Sequence, residues 1–194
     1  MAIEEPAFII SRHKGAFEVR DYAALVAAEV DVDGGGKQAR AAGFRLLARY
    51  IFGGNNRRQS IAMTAPVVQA RPAQPIAMTA LAIQTAKAGG WTLRFFMPRR
   101  YALGDLPAPN DQHVHLVKIP ASRIAALRFS GLARPRAVER KTAELNALLA
   151  ARHLPIAGPP SVARYNPPWT IWFLRRNEIW IPLRAEQMQR SLAS

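Results

Sequence analysis

The sequence predicts an α+β fold: an antiparallel sheet, closed or curled around a core, with two flanking helices. Three observations carry this. Strand-like segments outnumber helical ones, most consecutive strands have short links, and the order strand–helix–strands occurs twice. The two similar halves, at about 15–97 and 112–183, suggest a duplicated unit within a single domain spanning residues 1–194.

Phe17–Val32 alternates and is rich in Val, Ala and aromatics, so it reads as one or two strands. Gly34-Gly35-Gly36 breaks it. Lys37 to Phe52 then reads as a helix, because Phe44, Leu47, Ala48 and Ile51 keep the i, i+3, i+4, i+7 spacing and Gly53-Gly54 ends it. Arg45 and Arg49 are four apart, hence on one helix face beside that stripe. Ile61–Val68, Ile76–Gln84 and Trp91–Met97 are short, β-rich and bounded by Pro, Gly or Asn, and read as strands. The first two share the segment Ile-Ala-Met-Thr-Ala, at 61–65 and 76–80, which is too short to mark a solenoid. Pro98–Asn110 is a Pro-rich connection. His113–Ile119 and Arg123–Ser130 read as strands, and Pro135–His153 as a second helix with Val138, Thr142, Leu145 and Leu149 on one stripe. Pro159–Pro168 reads as a loop, and Thr170–Leu174 and Asn177–Leu183 as the final strands.

The chain has 27 Lys+Arg against 13 Asp+Glu, a formal charge of +14. The excess is uneven: residues 34–104 contain eleven basic residues and no carboxylate. Such a stretch favours an anionic partner, whether a nucleic acid, an anionic surface or a small acid; a GC-rich genome would produce the same arginine-heavy composition. Cysteine is absent, which excludes disulfides, thiolate catalysis, Cys-ligated zinc and iron–sulfur clusters. The acidic start and the lack of any apolar run of about 18 residues point to a cytoplasmic protein with no membrane span.

Several chemical motifs fail on inspection. Gly34-x-Gly36-x-x-Ala39 superficially meets the dinucleotide fingerprint, but no acidic residue for the ribose occurs before Asp105. Asp31 and Gln38 break the phosphate-loop pattern. Asp111, His113 and His115 would share one face of a strand, yet three ligands in line make a poor metal set. No G-x-S-x-G occurs. Glu178 stands beside Arg175, Arg176 and aromatics. It could act as a general base or bind a cation; a structural ion pair with a nearby arginine is the favoured reading. Met63, Met78 and Met97 fall on expected strands as core filler, with pocket lining or iron ligation as the alternatives. Tyr165, Trp169, Trp172, Phe173 and Trp180 cluster near the C-terminus; core is the default, and stacking on a flat ligand the alternative. Nucleic acid is the weaker expectation, because no RNA- or DNA-binding signature is present.

Phe17-Glu-Val-Arg-Asp-Tyr22, Gly43-Phe44, Tyr50-Ile-Phe-Gly-Gly-Asn55, Ile61-Ala-Met-Thr-Ala-Pro-Val67, Phe96-Met-Pro98, Leu106-Pro-x-Pro109, Tyr165-Asn-Pro-Pro-Trp169 and Arg175-Arg-Asn-Glu178 occur in order. Together they resemble the SOUL haem-binding protein family over roughly residues 15–183. The resemblance implies a distorted eight-stranded antiparallel barrel or sheet with two helices. It also implies a non-enzymatic carrier, buffer or sensor that binds haem or a related tetrapyrrole in an apolar cleft beside the first helix, with basic side chains near the propionates. On this chain the implied ligand-binding residues are Ala41, Phe44, Arg45, Ala48, Arg49, Met63 and Thr170. Where a histidine ligand has been proposed in the family, this chain has Asp21, so haem would bind without that bond, or through a Met or another His, or not at all. The architecture also resembles bacterial effector-binding domains, in which a central glutamate recognises cationic drugs. That gives a second reading, an effector-binding or hydrolytic domain using Glu178. The basic stretch gives a third, non-specific binding to anionic surfaces or nucleic acid.

Overall fold

The computed structural model describes residues 4–33, 36–70, 90–166 and 170–184. In chain order the elements are β1 (Phe8–Lys14), β2 (Phe17–Tyr22), β3 (Leu25–Val32), α1 (Gly36–Ile51), β4 (Val67–Ala70), β5 (Trp91–Phe96), β6 (His115–Ile119), β7 (Ser122–Ser130), α2 (Pro135–Ala150), β8 (Ser161–Arg164) and β9 (Arg176–Leu183). Short 3-10 turns occupy Leu103–Asp105 and Trp172–Leu174. The strands form one sheet in the order β1-β2-β7-β9-β8-β4-β5-β3-β6, and every pairing between strands is antiparallel. From the β8–β4 junction the order runs symmetrically outward: β9, β7, β2 on one side match β5, β3, β6 on the other. The α+β reading holds, with nine strands where eight were expected.

Strand alternation separates the two faces. On one face α1 covers Ala28, Val30, Leu93 and Phe95 through Leu47, Tyr50 and Ile51. On the same face α2 covers Phe17, Val19, Leu127, Ile179 and Ile181 through Leu145 and Leu149. Val67 and Val162, which lie on this face at the centre, belong to the α1 and α2 clusters respectively. The opposite face carries Tyr22, Phe96, Ala126, Ala163, Tyr165 and Trp180. Each fully buried Leu or Ile side chain contributes about 1.5–3 kcal/mol of transfer free energy, so both helices are held by their apolar stripes. Helix α1 lies tight against the sheet because Gly43 has no side chain: a Cβ there would sit 3.3 Å from Leu93 and Val30. It stops at Gly53, whose φ of +103° suits glycine.

Three sequence expectations need correction, and one strand had no counterpart among them. Residues 8–14 form an unexpected edge strand, exposed along most of its length. The strand expected at Ile61–Val68 is confined to Val67–Ala70: Ile61, Ala62 and Met63 have no regular structure, and Pro66 removes a donor from the run. The loop expected at Pro159–Pro168 contains β8, paired on both sides. The strand expected at Thr170–Leu174 is a 3-10 turn. Ile76–Gln84, with Met78 and the second Met-Thr-Ala segment, lies outside the described residues.

Candidate functional site

Helix α1 presents two parallel ridges at i, i+4 spacing. Arg40, Phe44 and Ala48 form the lower one, half-buried and next to the sheet; Ala41, Arg45 and Arg49 form the upper one, exposed. Phe44 meets the Phe95 ring edge-on at 5.3 Å, and Met63 packs into the same cluster beneath the helix. The structure therefore brings Ala41, Phe44, Arg45, Ala48 and Arg49 onto one flank of α1, with Met63 in the core it covers. Thr170 is placed differently. It precedes the 3-10 turn, and its carbonyl accepts a 2.8 Å hydrogen bond from Arg175 Nε.

A pocket of about 310 Å³ opens at the C-terminal end of α1, lined by Leu46, Arg49, Tyr50, Gly54 and residues 110–113. Its walls are mixed, with Leu46, Tyr50 and Gly54 beside Arg49 and the polar side chains of 110–113. Asp111 Oδ1 accepts hydrogen bonds from the His113 backbone and lies 2.9 Å from His113 Nδ1, which holds the Asp111 carboxyl below its ordinary value. Both residues sit in the turn before β6 and only His115 is on the strand, so the expected three-ligand face does not form. Among the described residues no three His, Asp or Glu side chains are grouped to hold a metal ion.

Asp21, on β2, pairs across strands with Arg123. Arg123 Nε and Nη2 donate to its two oxygens at 2.7 and 3.3 Å. Those bonds lead the causes that draw its carboxyl below the ordinary value.

Glu178, on β9, is the most enclosed charge described, fully buried on the face away from the helices. Arg20, 3% exposed, reaches it from β2 with Nη1 donating to Oε2 at 2.7 Å and Nη2 to Oε1 at 3.0 Å. Tyr165 OH and Trp180 Nε1 each donate to Oε2 at 2.7 Å. Arg176 donates to Oε1 from Nε at 3.1 Å and Nη2 at 2.9 Å. Both guanidinium groups lie on rings, Arg20 over Phe8 at 4.4 Å and Arg176 over Tyr165 at 3.8 Å. Burial alone would raise the Glu178 carboxyl; the hydrogen bonds and charge of Arg20, with Trp180 and Tyr165, outweigh it and bring it to about 2. Burial pushes the Tyr165 hydroxyl strongly up, helped by the adjacent Glu178 charge. A carboxylate this acidic and this fully ligated is a poor proton acceptor, and no oxygen is left open to an incoming cation. The ion-pair reading of Glu178 fits this arrangement.

Arg20 was missed in the sequence. The signal was the alternation of Phe17–Tyr22, which sets Glu18, Arg20 and Tyr22 on one face opposite Phe17 and Val19. The expected aromatic core also divides. Trp180 is buried, whereas Trp172 and Phe173 are 60% and 54% exposed, Trp172 lining an open groove with Leu132 and Arg134. Trp169 lies outside the described residues. No described helix is long and apolar enough to cross a membrane.

Comparison with known proteins bears on the fold and the family. No curated protein matches the sequence. Among solved structures, the EcmrR C-terminal domain superposes with a TM-score of 0.63 at 9% identity, covering 87% of this chain and 96% of that one. An uncharacterized conserved protein from Listeria innocua gives 0.58 at 13% identity, over 87% and 92% of the two chains. A hydrolase from Listeria innocua gives 0.55 at 12% identity, over 90% and 94%. At such identities these are likenesses of fold. The family model described as SOUL heme-binding protein matches residues 3–182, nearly the whole chain. By that match over its full architecture, the chain belongs to the SOUL haem-binding protein family.

Proposed function

We propose that this protein binds haem or a related tetrapyrrole non-enzymatically, as a carrier, buffer or sensor, on the flank of α1 that carries Ala41, Phe44 and Ala48. The supporting observation is the pair of α1 ridges in a chain of a haem-binding family. A tetrapyrrole is a flat apolar ring with acid groups on one edge. The small side chains of Ala41 and Ala48 leave the face beside Phe44 open to such a ring. Arg45 and Arg49, both exposed along the upper ridge, would meet the acid groups through charge-assisted hydrogen bonds. Asp21 is committed to Arg123 and is no part of this binding flank.

Haemin titration followed at the Soret band tests this. The expected result is a saturable spectral shift, and its absence would sink the reading. Ala41→Glu puts a carboxylate on the exposed strip without touching the core. It should raise Kd by a factor of about ten or more, roughly 1.4 kcal/mol. Arg45→Ala with Arg49→Ala should weaken binding by a similar factor if the upper ridge holds the acid groups, each charge-assisted bond being worth about 1.5–3 kcal/mol. Unchanged affinity in both variants would move the ligand off this flank.

The Glu178 reading, an effector-binding or hydrolytic domain, has the EcmrR domain and the hydrolase as fold relatives. It needs an accessible carboxylate, which the Arg20 and Arg176 pairings deny.

A further inference from the structure

We propose that the turn Ile171–Leu174, with Arg134 and Arg136 beside it, docks this protein on an anionic lipid bilayer, the apolar side chains entering the headgroup region and the arginines meeting the lipid phosphates. This surface is independent of the haem reading, which uses α1 on the other half of the sheet.

Ile171, Trp172, Phe173 and Leu174 are consecutive, and each is 54–61% exposed. Elsewhere among the described residues, large exposed apolar side chains occur singly or, at Ile9 and Ile10, as a pair. Single ones are ordinary; a run of four is the kind of patch that marks an interaction surface. Hydrogen bonds hold this turn in place. The Leu174 amide donates to the Ile171 carbonyl at 3.0 Å, and Arg175 Nε to the Thr170 carbonyl at 2.8 Å. Its far end is tied to the β7–α2 link: the Gly131 amide donates to the Arg175 carbonyl at 3.2 Å, and Asn177 Nδ2 to the Gly131 carbonyl at 2.9 Å. The Trp172 and Phe173 rings meet edge-on at 5.5 Å, so they cover each other in part and still stay exposed.

Geometry and charge together select the occupant. A 3-10 turn has three residues per turn, so Trp172, Phe173 and Leu174 point about 120° apart. All three are exposed, hence the turn projects from the surface as a wedge. A flat protein face covers one side of a wedge; the soft headgroup layer of a bilayer surrounds it, and tryptophan favours that layer. The surroundings are basic. Trp172 lines an open groove with Leu132 and Arg134. Arg134 and Arg136 are exposed at the start of α2, and Arg175 ends the turn. Residues 128–138 and 161–177, which hold these groups, contain no Asp or Glu. The first carboxylate beyond Arg136 is Glu139, about one turn along α2. Glu5 and Glu178 are in ion pairs with Arg176. An apolar wedge rimmed by cations, with no carboxylate among them, complements an anionic headgroup layer.

The test is co-sedimentation of the full chain with sucrose-loaded vesicles of phosphatidylcholine alone or with about 30% phosphatidylserine. Binding is expected to the serine-containing vesicles only, falling as salt rises. Trp172→Ser with Phe173→Ser should lower the partition coefficient about ten-fold or more, and Arg134→Gln with Arg136→Gln about five-fold or more. Phe52→Ser, an exposed apolar change away from this surface, should leave it unchanged. Bromine-labelled acyl chains should quench the tryptophan emission of the native chain. Trp172→Phe keeps the wedge apolar, so it should still bind and show reduced quenching; this variant decides the matter if the Ser pair does not fold. No binding to the anionic vesicles overturns the docking surface. Binding that survives both paired changes also overturns it and assigns the effect to the net charge of +14 alone. Equal binding to both vesicle types overturns the role of the arginines. A native chain that ignores vesicles but self-associates in the ultracentrifuge, with the association lost in the Ser pair, makes the turn a contact between copies instead. Haemin titration should be unchanged in all of these variants; weakened haemin binding would sink the reading of two separate surfaces.

Discussion

Glu178→Gln destabilises the fold by about 3–5 kcal/mol, measured by chemical denaturation at pH 7, because it breaks a buried ion pair from one side. The isosteric amide can accept through its one oxygen, but its NH₂ meets guanidinium or aromatic donors. Arg20, 3% exposed, then carries a buried charge with only Glu18 still paired to it, at 2.6 Å. The pH dependence gives a second, independent readout. The folded carboxyl lies at about 2 and its ordinary value is 4.5. A depressed carboxyl adds stability above the unfolded value and loses it as the pH falls through the folded one. The contribution is therefore complete above about pH 5, declines between about 4.5 and 2, and is of order 3 kcal/mol. In Glu178→Gln that part of the acid transition disappears. Replacing the pair together, Arg20→Met with Glu178→Met, should cost less than the single change, because the unpaired charge goes with its partner. A single change costing under about 1 kcal/mol would show that Glu178 is not the electrostatic centre of this face. A cationic aromatic compound that raised the melting temperature of the native chain and not of Glu178→Gln would restore the effector-binding reading.

Both helices were legible because each keeps a 3.6-residue apolar period that its sheet face uses: Leu47 and Ile51 in α1, Leu145 and Leu149 in α2. The inner strands were legible for the same reason at period two. What escaped lies where the local pattern carries no burial signal. Residues 8–14 form an edge strand with one covered residue, Phe8, so their alternation has little to alternate against. Ser161–Arg164 is only four residues long, and its strand character comes from the ladders on both sides. Ile61–Ala65 has β-forming side chains but is directed by its contacts: the Ile61 amide donates to the Ile51 carbonyl, and the Thr64 hydroxyl to the Phe96 carbonyl. On α1, the apolar stripe and the shared face of Arg45 and Arg49 were readable from spacing. Arg20 opposite Glu178 was not, since those residues are 158 apart and meet through the β2–β7–β9 pairing.

Asn55→Ala should cost about 3 kcal/mol or more, although it removes only a short side chain just past the end of α1. Asn55 is fully buried and uses every polar position it has. Its Nδ2 donates to the Tyr50 carbonyl at 3.1 Å and the Gln59 carbonyl at 2.7 Å. Its Oδ1 accepts from the Arg57 amide at 3.2 Å and the Gln59 amide at 3.0 Å. Alanine takes a partner from those four backbone groups together, leaving the Tyr50 carbonyl only the Gly53 amide at 3.4 Å, and each group left buried and unpaired costs about 1–3 kcal/mol. The turn has little room to rearrange. The Gly54 amide bonds the Arg49 carbonyl at 2.8 Å, and a Cβ on Gly54 would sit 2.6 Å from that oxygen. Asn110 and Asn56 tie the same turn to the 108–110 segment, with backbone bonds of 3.2 and 2.9 Å. Asn55→Asp should be at least as damaging, because it turns both donated bonds into contacts between a carboxylate and carbonyl oxygens. Asn56→Ala, at an exposed neighbour, should change stability by less than about 0.5 kcal/mol. Denaturant unfolding ranks the three variants, and hydrogen exchange at the Gln59 and Ile61 amides reads the turn directly. Because this turn fixes where α1 ends, and Arg49 lies in its last turn, loosening it should also weaken haemin binding. An Asn55→Ala protein as stable as the native chain would show that the turn is held by its backbone ladder alone.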